Sequence, residues 1–228
     1  RRAGTIIGWT CSILAKYFSL VLLPVFARRI GWTGVLSMFV LVVAAFVPFL
    51  AMEPEGLAGI SNTFSGFITF GREWKFNAGL FWIIEFVVGT QPAKFIGGAL
   101  VLVLMALVAR TRLDGPRQAS RSILILLFAP LALSPIVNPW YVTWLAPFLC
   151  LTISPALLAF TALVNVSYAG FIESKEILWL TALEWGTVLF LLIPRRGRSI
   201  LPWRLPPSAR GTVPAGEADG PAQRHTKR

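Results

Sequence analysis

The chain has 228 residues, 56% of them hydrophobic and 14% charged, against roughly 45–50% and 25% in ordinary soluble domains. That surplus of apolar residues argues against a water-soluble globular domain and makes lipid the expected solvent. The formal net charge of +11 reads as membrane topology plus a basic tail, and not as the footprint of an acidic or nucleic-acid partner.

The chain opens at Arg1 with no Met and no signal-peptide pattern, so it reads as the C-terminal part of a longer membrane domain. The first apolar stretch, 5–27, has arginines at both ends and Lys16 inside it. Two readings stand: it crosses once, or it dips in and returns with Lys16 near the turn. Gly4 and Gly8 have the spacing of a close helix-packing pair, and Gly97-Gly98-Ala99 gives a second packing signal. Further apolar stretches cover 34–52, 93–109, 122–137, 140–153, 156–172 and 177–193. Residues 79–89 are too short to span and predict an interfacial or re-entrant helix, ended by Thr90-Gln91-Pro92.

Arginines fix the expected orientation. Arg28 and Arg29 precede 34–52; Arg110, Arg112, Arg117 and Arg121 lie between 93–109 and 122–137; Arg195, Arg196 and Arg198 follow 177–193. Placing all three clusters in the cytoplasm gives six crossings after Arg29, with Ser154-Pro155 also inside. Residues 53–78, the Asn138-Pro139 turn and Glu173–Glu176 then lie outside. The expected fold class is all-α: a polytopic transmembrane helical bundle over 1–193, with a short interfacial helix. Residues 194–228, rich in Pro, Gly and Arg, are expected to form a disordered, basic cytoplasmic tail touching anionic headgroups.

The run Ser134–Phe148, SPIVNPWYVTWLAPF, breaks the apolar pattern. Proline disfavours helix at the preceding residue, so Ser134 and Asn138 should be extended. A new helix is expected to begin at Pro139 with Asn138 as N-cap. Trp140, Tyr141 and Trp144 then form an aromatic collar at the membrane boundary, Trp140 and Trp144 sharing a face. In the outer loop, Arg72, Glu73, Trp74, Lys75 and Asn77 sit among aromatics. Aromatic faces stack on sugar rings, and Arg and Lys take phosphate; lying on lipid headgroups is the alternative. Lys16, Glu85 and Glu184 are ionisable residues in apolar stretches, where a partner or an aqueous cavity is expected. A Lys16–Glu184 pair is one option.

Cys11 and Cys150 read as small buried hydrophobes, and the lone His225 lies in the tail. No metal-ligand spacing, phosphate-cradling loop, cofactor fingerprint or nucleophile elbow is present, so neither a metal nor a cofactor is expected.

Three stretches together resemble bacterial integral-membrane glycosyltransferases of the GT-C class, the polyprenyl-phosphate-mannose-dependent mannosyltransferases and their relatives. SPIVNPWYVTWLAPF is similar to their S-P-x-x-H-P-W-Y-x-x-W-x-x-P motif. Leu14–Arg29 resembles their segment of a lysine, an apolar run, a proline and terminal arginines. Arg72–Ile84 is similar to their W-x-F-N element before a short helix. The order and spacing correspond to the C-terminal half of such enzymes, over roughly 14–193.

The resemblance implies a transferase that moves a hexose, mannose in the first instance, from a polyprenyl-phosphate donor to an acceptor on the outer face of the bacterial plasma membrane. It also implies that the catalytic carboxylate lies upstream of Arg1. By position, Lys16, Trp74, Phe76, Asn77, Pro139, Trp140 and Tyr141 line or support the substrate cavity. Arg72 and Lys75 are the candidates for phosphate, and Asn138 stands where the family usually has His. An asparagine there forms hydrogen bonds but holds no charge near neutral pH. A multi-spanning transporter or flippase, built on helices broken at Pro130 and Pro135, is the alternative function.

Overall fold

The computed structural model describes residues 2–52, 62, 64–169 and 177–193. The described chain is mostly helical, with no strand among the described residues. Helix α1 runs Arg2–Ala15, a 3-10 segment follows at Tyr17–Leu22, and α2 covers Leu23–Ala51. Then come α3 (Ser65–Glu73), α4 (Gly79–Val88), α5 (Thr90–Arg110) and α6 (Pro116–Leu133). A 3-10 segment at Pro139–Trp144 and one turn at Ala146–Leu149 lead to α7 (Pro155–Leu163), a 3-10 extension at Val164–Tyr168, and α8 (Leu178–Leu192).

Two runs are long and apolar enough to cross a membrane, Tyr17–Ala51 and Thr90–Arg110. Their exposed residues are the kind lipid would cover: Leu36, Phe39, Val40 and Phe49 on α2, and Phe95, Leu102, Val103 and Leu107 on α5.

The chain turns back at Lys16. Its extended backbone, φ −155° and ψ 117°, ends α1, and the return leg packs on α1 through the Trp9–Phe26 ring stack, 5.1 Å between centroids. The Trp9 indole N–H also donates to the Ser19 carbonyl at 3.2 Å. Of the two readings of 5–27, the structure forms the hairpin. A second corner interrupts α2 at Gly31, with φ 68° and ψ 173°, a backbone state essentially confined to glycine. Ile30 and Met38, on either side of that corner, join one apolar cluster with Trp9 and Ile13.

Helix α6 forms the centre. Leu124, Leu126, Leu127, Leu131 and Ala132 are buried in one cluster with Leu145, Leu149, Phe160, Val164, Trp185 and Val188. Where lipid tails are as apolar as leucine, such contacts hold helices together by close packing, not by escape from water. Gly97 shows the principle, since a β-carbon there would lie 2.8 Å from the Leu133 carbonyl oxygen. This contact sets the start of α5 against the end of α6.

The two ends of the molecule differ. At one, the Arg28 guanidinium donates to the carbonyl oxygens of Val108, at 3.3 Å, and of Ala109 and Thr111. Those carbonyls lie at the C-terminal end of α5, where the helix dipole is negative, so a cation suits them; the Val108 carbonyl also accepts the Thr111 N–H at 3.2 Å. The contact brings Arg28 to the end of α5 that carries Arg110 and Arg112. At the other end, Phe76 N–H donates to the Pro135 carbonyl at 2.9 Å, and Val137 N–H donates to the Phe76 carbonyl at 2.8 Å. This parallel bridge of Phe76 with Ile136 ties the two motif segments together.

Several expectations are corrected. Residues 140–153 form no spanning helix: the 3-10 segment and single α-turn there reach about 18 Å at their helical rises, short of a hydrocarbon core of about 30 Å. Proline at 139 and 147 and the polar Thr143 break the run. Helix α4 ends one residue earlier than expected, at Gly89 with φ 83°, and α5 begins directly at Thr90. The second half of the 53–78 segment contains α3. Cys11 and Cys150 are exposed and not buried, on apolar elements whose outer faces lipid would cover. Glu173–Glu176 and the tail 194–228 lie outside the described residues.

Candidate functional site

Two places gather the residues singled out in the sequence. The first is the junction around Phe76. Pinned on one side to residues 135–137, the chain passes through Asn77 with φ 53°, a left-handed state that asparagine tolerates better than most residues. Asn77 is fully buried. Its amide N–H₂ donates to both oxygens of Glu184 at 3.0 Å, and its carbonyl accepts the Trp185 indole N–H at 3.3 Å. Gly79, with φ 45°, lies flat on the same indole: a β-carbon there would be 2.5 Å from the Trp185 ring. A carboxylate at 1% exposure in an apolar helix thus receives two hydrogen bonds from a neutral amide. The partner of Glu184 is Asn77 and not Lys16, because Lys16 lies in a different cavity.

Around this junction, the rim carries Trp74 at 55% exposure and Trp140 at 49%. Trp140 meets Tyr141 edge-on at 6.0 Å and Tyr168 at 6.4 Å. Tyr141 stacks on Trp144 at 4.5 Å with only 15° between planes. The expected Trp140–Trp144 face is corrected: the segment is a 3-10 helix, in which residues three apart eclipse, so Tyr141 and Trp144 align. Ser134 and Asn138 are extended as expected, with ψ 144° at both, and Pro139 opens the helical segment. The Asn138 side chain, however, makes no capping bond.

Lys75 forms an ion pair with Glu85, and the Thr90 hydroxyl donates to the same carboxylate at 2.8 Å. Burial alone would raise the Glu85 pKa; the hydrogen bonds from Lys75 and Thr90, with the nearby positive charges of Lys75 and Lys94, outweigh it and hold the carboxyl below its usual value. Lys94 donates to the carbonyls of Gly71 at 2.9 Å and Arg72 at 2.7 Å, capping α3 with a cation. The Arg72 side chain is exposed at the same edge. Lys94, Glu184 and Tyr168 were not foreseen as parts of this region. Lys94 and Glu184 are bound to partners more than twenty residues away, so only the oddity of an ionisable group in an apolar run marks them.

The second place is a groove of about 560 Å³ between α1, the 17–22 segment, α2 and α6. Lys16 and Arg29 line it with Trp9, Phe18, Phe26, Trp144 and Phe148. Phe18 and Trp144 close one wall, 4.0 Å between centroids. Gly4 and Gly8 line it too, and no atom lies within 4 Å of a β-carbon built at either. The expected close-packing role of this glycine pair is corrected: the two glycines leave space. None of Arg72, Trp74, Lys75, Asn77, Asn138, Trp140 or Tyr141 lines the groove. Lys16 is therefore separated from the other residues of the expected site, although Trp144, in the Pro139–Trp144 segment, touches both regions. Among the described residues, no carboxylate lines the groove and no group of three or more His, Cys, Asp or Glu could hold a metal ion.

No protein-family model matches the chain, and no match to a curated protein or to a solved structure was found.

Proposed function

We propose that this chain is the membrane body of a multi-pass glycosyltransferase of the GT-C kind, which accepts a hexose from a polyprenyl-phosphate donor on the outer membrane face. The observation that carries the reading is the Phe76–Ile136 pairing, which joins the W-x-F-N and N-P-W-Y elements at the end of the helices opposite the arginine cluster. With arginines kept in the cytoplasm, that end faces outward. In this reading the exposed indoles of Trp74 and Trp140 stack on the sugar, with Arg72 exposed at the same edge.

The reaction forms a bond from an acceptor hydroxyl oxygen to the anomeric carbon, while the bond from that carbon to the phosphate oxygen breaks. Cations at the phosphate stabilise the departing negative charge, and a carboxylate takes the hydroxyl proton. Lys75 is engaged by Glu85, whereas the Lys16 ammonium has no hydrogen bond or ion pair among the described residues. Lys16 is therefore the better-placed cation for the lipid phosphate, with the prenyl chain against the groove's aromatic wall. The test is transfer of labelled mannose from polyprenyl-phosphate-mannose by membranes containing the full-length protein. Trp140→Ala and Lys16→Gln should each lower transfer by about tenfold or more, the loss of one good contact. Absence of transfer from every hexose donor, or full transfer in both variants, overturns the reading; donor movement across the bilayer without transfer would favour the transporter.

A further inference from the structure

We propose that the Arg29 mouth of the groove binds one anionic phospholipid, its phosphate on the guanidinium and an acyl chain laid along Gly4, Gly8 and Trp9. This site is distinct from the sugar-handling rim and does not rest on the transferase reading. Four observations converge on it.

The first is charge. Arg29 lines the groove and its side chain has no hydrogen bond or ion pair among the described residues. The acidic side chains that are described lie elsewhere: Glu85 on Lys75, Glu184 on Asn77, and Asp114 and Glu73 outside the lining. A guanidinium in a mostly apolar recess, with no carboxylate in its lining among the described residues, calls for an anion, and it takes phosphate through two parallel hydrogen bonds. The second is depth. The neighbouring Arg28 is spent on the α5 carbonyls of Val108, Ala109 and Thr111, at the arginine-rich end of the helices. There a phosphate from the lipid layer meets it at headgroup level, and basic pockets between membrane helices at such a level bind anionic headgroups.

The third is room. Gly4 and Gly8, one turn apart on α1, have no atom within 4 Å of where a β-carbon would stand, so the floor of the groove is bare backbone next to Trp9, Phe26 and Leu127. The fourth is separation. Along the 3-10 segment and the first leg of α2, Lys16 lies roughly 22 Å from Arg29 at helical rises. One lipid phosphate cannot serve both cations, so a phosphate held at Arg29 is a different one from any at Lys16.

The test measures thermal unfolding of the detergent-solubilised protein with added phosphatidylglycerol or phosphatidylcholine of the same chains. Phosphatidylglycerol at a hundredfold excess over its Kd should raise the midpoint by about 5 °C or more, and phosphatidylcholine by much less. Arg29→Gln should abolish the difference, Arg29→Lys should keep part of it, and Lys16→Gln should leave it intact. Gly8→Leu, which fills the floor, should remove the response to both lipids while the unliganded protein stays folded. Equal shifts with the two lipids, an undiminished shift in Arg29→Gln, or the same shift with inorganic phosphate alone would each overturn the proposal.

Discussion

The junction at residues 76–79 and the groove along α1 treat polar groups in opposite ways. At the junction, a carboxylate, an amide and an indole N–H close on one another with almost no exposure. In the groove, two cations face open space between aromatic walls. Both regions place charge among apolar helices, where an unsatisfied polar group is costly. The junction meets that demand from within the chain; the groove leaves it to be met from outside. The pattern separates framework from binding surface without reference to any reaction.

Substitutions at the two regions should therefore diverge. The largest effect is expected at Asn77. Asn77→Leu strips both hydrogen bonds from a buried carboxylate, and should cost about 3–5 kcal/mol, as for breaking one side of a buried polar pair. Adding Glu184→Leu should recover part of that loss, because it removes the unsatisfied carboxylate, while the buried Trp185 indole N–H stays without its Asn77 acceptor. Unfolding midpoints of the two single variants and the double variant give the coupling, and additive losses would remove the junction from its framework role. Next comes a matched pair of glycines. Gly79→Ala forces a methyl into the Trp185 ring at a positive φ and should destabilise by about 1–3 kcal/mol. Gly8→Ala meets no atom, and in the interior of α1 it should be neutral or stabilising by up to about 1 kcal/mol. Equal losses at the two sites would abolish the contrast.

Smaller effects should come from the helix ends and the surface. Arg28→Ala frees the last carbonyls of α5 and should cost about 1 kcal/mol, read as faster amide exchange in the turn around Thr111. The Lys75–Glu85 pair is worth at most about 1 kcal/mol. The Glu85 carboxyl is held below its usual value, so this contribution is fully present above the ordinary carboxylate range and is lost as the pH falls through and below it. Glu85→Gln should remove that acid-side slope by lowering neutral-pH stability by the pair's contribution, at most about 1 kcal/mol, while leaving stability at acid pH nearly unchanged.

Much of this was legible in the residues. Prolines 135 and 139 dictate the extended backbone at Ser134 and Asn138, because proline crowds the residue before it. The oddity of Glu184 in an apolar run marks it as partnered. Its partner was not legible, because Asn77 is 107 residues away and nothing local distinguishes it from Lys16. The face shared by Tyr141 and Trp144 was missed because the segment winds as a 3-10 helix, and the sequence pattern suits either winding. The groove was missed for a related reason: a glycine pair one turn apart signals close approach of something, and only the fold decides whether a helix or empty space lies there.

The corner at Gly31 bears on how the chain is made. Counted by apolarity alone, Tyr17–Ala51 is one segment of 35 residues, far beyond what a bilayer spans. Arg28 and Arg29 stand just before the corner, where paired basic residues resist translocation. Insertion machinery reading the nascent chain would have to release a short leg and a full-length one separately, and any side chain at residue 31 would oppose the fold-back that lets both settle.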